Sequence, residues 1–332
     1  MHGGSNGAVR FARSEVSAMF ASMLRVAALP LELACGASSP HVTHVSRIAD
    51  RLARAACEGI GLAVFPEACL VECANLAKLH RREFEALAER LDGPSVSAVA
   101  DAVEATGVGA GVGLIERGPD GRIFNSYVIC LPGGMRHCHR KLYAFEHRRI
   151  DCGDRFTVFD TAWGVRIGVL IGADNYLVEN VRMTALMGAT LLVAPHRRYR
   201  TDRDGALRRW LPAHAAENGM FVAFSAATEG ANENDGEADT PMILDPCGRV
   251  LADHASGESA FVSAELDTAL LGESVGRRWL ESRRPELYGP LAQPAGVARA
   301  NAHAGVAARG GAVPLSVAVV SRDRLTVRWN VR

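Results

Sequence analysis

The sequence lacks a long uninterrupted apolar run. A helix that spans a membrane needs roughly 20 consecutive apolar residues, and no segment of the 332-residue chain reaches that length. The stretch that best imitates a targeting signal, residues 18–35, is interrupted by Arg25, Pro30 and Glu32. We interpret it as a first strand rather than as a lipoprotein signal ending at Cys35. We therefore expect no membrane partner.

The sequence also lacks an excess of charge of either sign. Lys and Arg together number 37, and so do Asp and Glu. A protein that binds nucleic acid through its phosphates usually concentrates basic residues on one face. We therefore expect no nucleic-acid partner.

The sequence also lacks a Cys-X-X-Cys pair. The eight cysteines are scattered, in a chain too long to need disulfides. Reduced thiols in a cytoplasmic protein are the simplest interpretation. The stretch His137-Cys138-His139 suggests a metal, but adjacent residues of a strand point in opposite directions and no complementary pair is evident. We interpret it as a solvated hairpin and predict no metal and no cofactor.

Strand-like and helix-like patterns alternate along the chain. Apolar residues at helical spacing run from Val42 to Ala56, and the short apolar run Leu62–Phe65 follows and ends at Pro66. Further strand-like segments lie at 24–29, 107–115, 123–131, 165–171, 190–194, 220–225 and 242–244, and further helical segments lie at 82–105, 178–187 and 206–218. This alternation predicts an α/β layered domain with functional groups at strand ends.

The two ends of the chain differ from its middle in composition. Residues 1–22 are rich in Gly, Ser and Ala, and residues 292–313 shift to Ala, Gly, Pro and Arg. Residues 315–331 alternate enough to form a hairpin. We predict an N-terminal extension over 1–22, one domain over 23–291, and a C-terminal tail, linker-like at first, over 292–332.

Three segments place a polar residue or a sharp turn directly after a strand. Glu67 follows Pro66, Lys141 follows a hairpin-like stretch, and residues 172–174 join a strand to a helix. Taken alone, Glu67 is explained as a solvated loop acid or helix cap, and Lys141 as surface charge. Their shared position at strand ends favours a common site.

With these segments in this order, the chain resembles the nitrilase superfamily of carbon-nitrogen hydrolases, whose members place a Glu, a Lys and a Cys at strand ends. The resemblance covers about residues 24–290 and implies a single-domain, four-layer α-β-β-α sandwich of the nitrilase type. The matching motifs are Phe65-Pro66-Glu67, Arg140-Lys141-Leu142, Gly168-Val169-Leu170-Ile171-Gly172-Ala173-Asp174, Glu179-Asn180-Val181-Arg182, Leu186-Met187-Gly188-Ala189, Arg209-Trp210-Leu211-Pro212-Ala213, Glu217-Asn218-Gly219, Ile243-Leu244-Asp245-Pro246-Cys247-Gly248, Arg278-Trp279 and Arg283-Arg284-Pro285-Glu286-Leu287-Tyr288.

The resemblance also implies roles for individual residues. In such a site a cysteine attacks the carbonyl or nitrile carbon, a carboxylate takes its proton, and a lysine stabilises the developing negative charge. Glu67 would be the base, Lys141 the stabiliser, and the backbone N–H of Ala173 a second donor to the oxyanion. Glu146 would be an additional acid; the alternative is a salt bridge with one of residues 147–149.

The nucleophile position itself departs from the family, because it holds Gly172 instead of cysteine. Glycine has no side chain to attack with, although it tolerates the strained backbone of such a turn. Loss of a nucleophile costs a hydrolase on the order of 10⁶-fold in rate. Cys69, Cys138 or Cys152 could act as a displaced thiol; the alternative for each is an inert thiol.

Two loops near the expected site also depart from the family. A basic run, residues 197–200, follows Pro195-His196 where many members have a small loop containing glycine, and residues 226–230 lack an asparagine often seen there. These departures favour natural drift away from hydrolysis over a single engineered change, although one sequence does not distinguish the two.

Three functional hypotheses follow. The first is a pseudoenzyme that binds a small amide, carboxylate or carbamoyl ligand, or a protein partner, without turnover. The second is a working amidase or nitrilase that uses a displaced thiol or water activated by Glu67. The third is a nucleophile-deleted version of an active enzyme. By resemblance, amides and N-carbamoyl compounds are favoured over nitriles. A homo-oligomer formed through helical faces is also expected, with residues 278–288 in the region that often reaches a neighbouring subunit.

Overall fold

The computed structural model describes residues 23–32, 40–71, 76, 79–197, 206–228, 240–253 and 261–293. Three predicted segments lie outside these ranges: the extension over 1–22, the hairpin over 315–331, and the linker-like segment over 292–313 except for residues 292 and 293. The chain divides into two compact units, Met1–Ser282 and Arg283–Arg332. In the described part of the second unit, two short 3₁₀ turns, Pro285–Leu287 and Gly289–Ala292, follow one another.

Strands of the first unit form two sheets. The strands are β1 (Leu24–Ala28), β2 (Leu31–Glu32), β3 (Leu62–Val64), β4 (Gly109–Arg117), β5 (Ile123–Leu131), β6 (Met135–Arg140), β7 (Ile150–Asp151), β8 (Thr157–Asp160), β9 (Arg166–Val169), β10 (Leu191–Arg197), β11 (Phe221–Thr228), β12 (Met242–Leu244), β13 (Val250–Asp253) and β14 (Val262–Leu266). The first sheet has the order β14-β1-β3-β4-β5-β6, with β7 beside β5. The second has the order β13-β12-β11-β10-β9-β8, with β2 beside β11.

Helices cover the outer face of each sheet. The helices are α1 (Pro40–Cys57), α2 (Arg81–Leu87), α3 (Pro94–Thr106), α4 (Val178–Leu186), α5 (Ala206–Asn218), α6 (Ala269–Glu273) and α7 (Val275–Glu281). Apolar residues of α1 and α3 pack on the first sheet, and those of α4 and α5 pack on the second. Alternate strand residues such as Val26, Val64, Val169 and Val193 form a third core between the sheets, because successive side chains of a strand face opposite sides. The predicted α-β-β-α sandwich is confirmed.

The helical segment predicted over residues 82–105 is two helices. Residues 88–93 separate them, and Pro94 is the first residue of α3. Proline is tolerated there because that N–H has no acceptor within the helix, whereas inside a helix it would remove a hydrogen bond. The period of the apolar residues alone did not reveal this break.

Parallel strands place their carboxyl ends at one edge of each sheet. In the first sheet β1, β3 and β4 are parallel, and β6 runs in the same direction because β4, β5 and β6 are successively antiparallel. In the second sheet β9, β10 and β11 are parallel. Residues that follow β3, β6 and β9 can therefore meet. Within the described ranges, no helix has both the length and the apolar character needed to cross a membrane.

Candidate active site

The structure brings the three predicted strand-end positions together. Lys141 Nζ lies 2.6 Å from Glu67 Oε1, and both side chains are buried. A Cβ atom built on Gly172 would lie 2.6 Å from Glu67 Oε2 and 3.1 Å from Lys141 Nζ. A side chain at position 172, which the resemblance assigns to the nucleophile, would therefore point at the carboxylate and the ammonium group.

The backbone around Glu67 is held by contacts from β4 and β5. Ala68 has a φ of +50°, which is rare for a residue with a side chain. The Tyr127 hydroxyl donates a 2.6 Å hydrogen bond to the carbonyl of Phe65. Gly113 lies against this turn, and a Cβ there would overlap the backbone nitrogen of Ala68. Glycine at 113 thus permits the close approach that fixes Glu67.

The turn at Gly172 has a left-handed backbone conformation that suits glycine. Gly172 has a φ of +45° and begins a 3₁₀ turn, Gly172–Tyr176. Asn175 Nδ2 donates to the carbonyls of Leu170 at 2.9 Å and Gly172 at 3.1 Å, which closes the turn. The positive φ favours glycine, and the fold at this turn needs no side chain at position 172.

Ala173 is the second residue of this 3₁₀ turn, and the first N–H groups of a helical segment have no acceptor within it. Its position suits the oxyanion-donor role that the resemblance implies. That role stays a prediction.

Lys141 lies between two carboxylates. Besides Glu67 it contacts Glu146 Oε1, and the Glu146 side chain is 3% exposed. Asn125 Nδ2 lies 3.4 Å from Glu146 Oε1. These contacts place Glu146 beside Lys141 and favour a role in the site over a salt bridge with the basic residues that follow it.

Asn125 is a site residue that sequence reasoning missed. It is the third residue of β5, is fully buried, and donates a 2.7 Å hydrogen bond from Nδ2 to Glu67 Oε1. Its backbone carbonyl also accepts a hydrogen bond from the Lys141 N–H at 2.8 Å. The adjacent polar pair Asn125-Ser126 within an otherwise apolar strand was the available clue, because a buried polar side chain needs a partner.

The local charges keep Glu67 ionised. Burial has the largest effect on the pKa of Glu67 and raises it, but the charges of Lys141 and His196 and the hydrogen bonds from Lys141 and Asn125 together outweigh burial. The pKa consequently lies below its ordinary value. An ionised carboxylate at this position can accept a proton.

Arg197, which begins the basic run and is the last residue of β10, contacts the site. The N–H of Arg197 donates a 3.0 Å hydrogen bond to Glu67 Oε2, and the Arg197 side chain is fully buried. His196 is buried as well and stacks on Phe224, with ring centroids 5.9 Å apart. Residues 198–200 lie outside the described ranges, as do residues 229 and 230 of the other unusual loop.

Two of the three candidate thiols have raised pKa values. Burial, the largest influence in each case, raises the pKa of Cys69 to about 12 and that of Cys138 to about 12. Cys69 Sγ accepts a hydrogen bond from the Gly113 N–H at 3.3 Å. Cys152 is exposed. A thiol with so high a pKa is almost entirely protonated at neutral pH and is a poor nucleophile.

The stretch 137–139 is more buried than the predicted solvated hairpin. His139 is fully buried, and the His137 ring stacks on Phe159 with centroids 3.7 Å apart. The stretch does lie in the antiparallel hairpin of β5 and β6, but the expected solvation is wrong because β8 of the second sheet also lies beside β6. Among the described residues, no group of three or more His, Cys, Asp or Glu side chains could hold a metal ion.

Comparison with known proteins extends these observations. The sequence profile of the carbon-nitrogen hydrolase family matches residues 25–274. A hydrolase from Pseudomonas protegens, named for its position in the pqqF 5′ region, is 34% identical over 217 residues, 63% of this chain and 74% of that protein. An (R)-stereoselective amidase from Pseudomonas sp. is 33% identical over 243 residues, 71% of this chain and 84% of that protein.

Solved structures resemble the fold. One is a variant of the amidase from Nesterenkonia sp. AN1, with the acetamide moiety of fluoroacetamide added covalently at its active-site cysteine. It superposes with a TM-score of 0.62 at 20% sequence identity and covers 81% of this chain and 97% of that chain.

Proposed function

The chain belongs to the carbon-nitrogen hydrolase family, the nitrilase superfamily, and we propose that it is a pseudoenzyme that binds a small amide-like ligand without thiol catalysis. The position of Gly172 carries this proposal. The side chain that glycine lacks would project between Glu67 and Lys141, so the base and the stabilising cation remain where the attacking atom is missing. The raised pKa values of Cys69 and Cys138 argue against a displaced thiol.

Two buried acceptor atoms support an amide-like ligand over a carboxylate. Glu146 Oε2 and Asn125 Oδ1 are buried and have no hydrogen-bond partner among the described residues. Their residues contact each other through Asn125 Nδ2 and Glu146 Oε1. Buried acceptors are normally paired, and a ligand with N–H donors would pair them, whereas a carboxylate would add repulsion.

Binding without turnover is tested with propionamide and propionate as probes. We expect propionamide to raise the melting temperature of the wild-type chain, propionate to raise it less, and Glu146→Gln to weaken the effect of propionamide. Ammonia is measured in the same samples, and none above the uncatalysed rate is expected. Ammonia release by the wild-type chain would overturn the proposal in favour of water activated by Glu67. A larger shift with propionate would overturn the ligand class.

We also propose that a second copy of this chain covers the outer face of α4 and α5. The two helices contact each other, and the large apolar side chains Val178, Met183, Met187 and Trp210 on or next to them are 40–52% exposed, as is typical of a surface that binds another protein. The resemblance implies an oligomer formed through such helical faces. Light scattering should give a dimer or larger assembly for the wild type and a monomer for Met183→Glu, with Met135→Glu, on β6, as the control. A monomeric wild type would contradict this.

A further inference from the structure

The buried carboxylate of Asp174 connects the segment that carries Lys141 to the turn that carries Gly172. Asp174 is fully buried, and its Oδ1 accepts hydrogen bonds from the N–H groups of Leu142 and Tyr143, both at 2.9 Å. These are the two residues that directly follow Lys141. A buried carboxylate that accepts several N–H bonds is strongly held.

The other oxygen of Asp174 contacts both sides of the same junction. Oδ2 accepts from the N–H of Ile171, just before Gly172, at 3.1 Å. It also lies 3.3 Å from Nε2 of His139, at the end of β6. His139 Nδ1 lies 3.2 Å from Thr157 Oγ1, which holds the other edge of the ring.

We infer that Asp174 is a positioning residue, which sets the place of the Lys141 ammonium relative to the Gly172 turn. The Asp174 carboxylate contacts residue 139 on one side of Lys141 and residues 142 and 143 on the other side. Lys141 and Gly172 themselves follow strands of different sheets. Asp174 need not touch the ligand. The inference rests on the proposed function only in that Lys141 is taken to serve a bound ligand.

Asparagine cannot replace this carboxylate. Three backbone N–H groups donate to the two oxygens of Asp174, whereas the side chain of asparagine has one acceptor oxygen and an NH₂ group that would face an N–H donor. The Asp174→Asn variant should therefore release the segment around Lys141, and small displacements of a positioned group weaken its action strongly.

Lysine labelling tests this directly, because the chain has two lysines, Lys78 and Lys141. The rate of acetylation by an amine-reactive ester is followed at each lysine by peptide mass spectrometry, with Lys78 as the internal reference. Asp245→Asn is the matched control, because Asp245 is also buried and its Oδ1 accepts two backbone N–H groups, from Cys247 at 2.8 Å and Arg249 at 2.9 Å.

We expect Asp174→Asn to raise the ratio of the Lys141 acetylation rate to the Lys78 acetylation rate by about tenfold or more. Asp245→Asn, compared under conditions in which the same fraction of each variant is unfolded, should leave this ratio unchanged. Equal ratios in the two variants would overturn the inference and leave Asp174 a general stabilising residue. If Asp174→Asn does not fold, His139→Phe replaces it in the experiment, because phenylalanine keeps the ring volume but removes the contact with Asp174. The ratio of the two acetylation rates should rise in this variant as well, and an unchanged ratio would overturn the inference.

The propionamide-induced shift in melting temperature provides a second measurement and should disappear in Asp174→Asn but persist in Asp245→Asn. A shift retained in Asp174→Asn contradicts the inference. The labelling arm requires no ligand, so a wild-type chain that fails to bind propionamide would count against the proposed function while labelling still decides the role of Asp174.

Discussion

The Nζ atom of Lys141 lies 2.6 Å from Glu67 Oε1, and the two side chains are 2% and 0% exposed. The same ammonium contacts Glu146. One buried cation thus lies between two buried carboxylates, beside the turn that holds Gly172.

Removing that cation should destabilise the fold. In Lys141→Met, Glu67 and Glu146 become buried carboxylates without the charge that compensates them, which typically costs about 3–5 kcal/mol. Urea unfolding at pH 7 measures the loss. Arg90→Met is the control, because the Arg90–Asp92 pair is 62% and 70% exposed and such pairs contribute little. Equal midpoints for the two variants would contradict this account.

The contribution of Glu67 to stability should depend on pH. Its pKa in the folded chain lies below the ordinary value of 4.5, so ionisation favours folding above that value. This contribution is lost as the pH falls through the folded pKa. We expect the difference in unfolding free energy between the wild type and Glu67→Gln to be constant from pH 7 to about pH 5 and to shrink below it. A difference that grows on acidification is the contrary result.

A methyl group at position 172 should cost more than backbone strain alone. Gly121→Ala is the matched control, because Gly121 has a φ of +80° and open space around it. It should lose about 1–2 kcal/mol. In Gly172→Ala the new Cβ also meets Glu67 Oε2 at 2.6 Å, and overpacking adds about 1–3 kcal/mol. Equal losses of unfolding free energy in Gly172→Ala and Gly121→Ala, measured by urea unfolding, would contradict this and show that Glu67 moves aside freely.

Thiol reactivity should follow burial. In the native chain at pH 8, Cys69 and Cys138 should resist alkylation because their pKa values are about 12, whereas the exposed Cys57, Cys152 and Cys247 should react. Peptide mapping after iodoacetamide treatment measures each site. Rapid alkylation of Cys69 would revive the displaced-thiol hypothesis.

Apolar periodicity is local, so the sequence predicted an α/β layered domain, and the resemblance implied the α-β-β-α sandwich. The sequence did not reveal β2 and β7, since two residues are too few for a pattern. Nor did it reveal the pairing of Leu24 with Leu266, which depends on the whole intervening chain.

The candidate site was predicted unevenly for the same reason. Glu67, Lys141 and Gly172 follow strands, and the resemblance singled them out; their roles stay predictions. Asn125 is hidden in an apolar strand, and Asp174 was quoted within a motif without a role of its own. Their importance depends on which backbone groups the fold brings within reach, and spacing along the chain does not record that.

The most direct test of the central claim measures ammonia release from a panel of amides, nitriles and N-carbamoyl compounds. The wild-type chain, Gly172→Ala and Gly172→Cys are compared, each before and after all thiols are alkylated. The account predicts release only by Gly172→Cys, and only before alkylation, because position 172 lacks nothing but the attacking atom. Release by the wild-type chain that survives alkylation would contradict it.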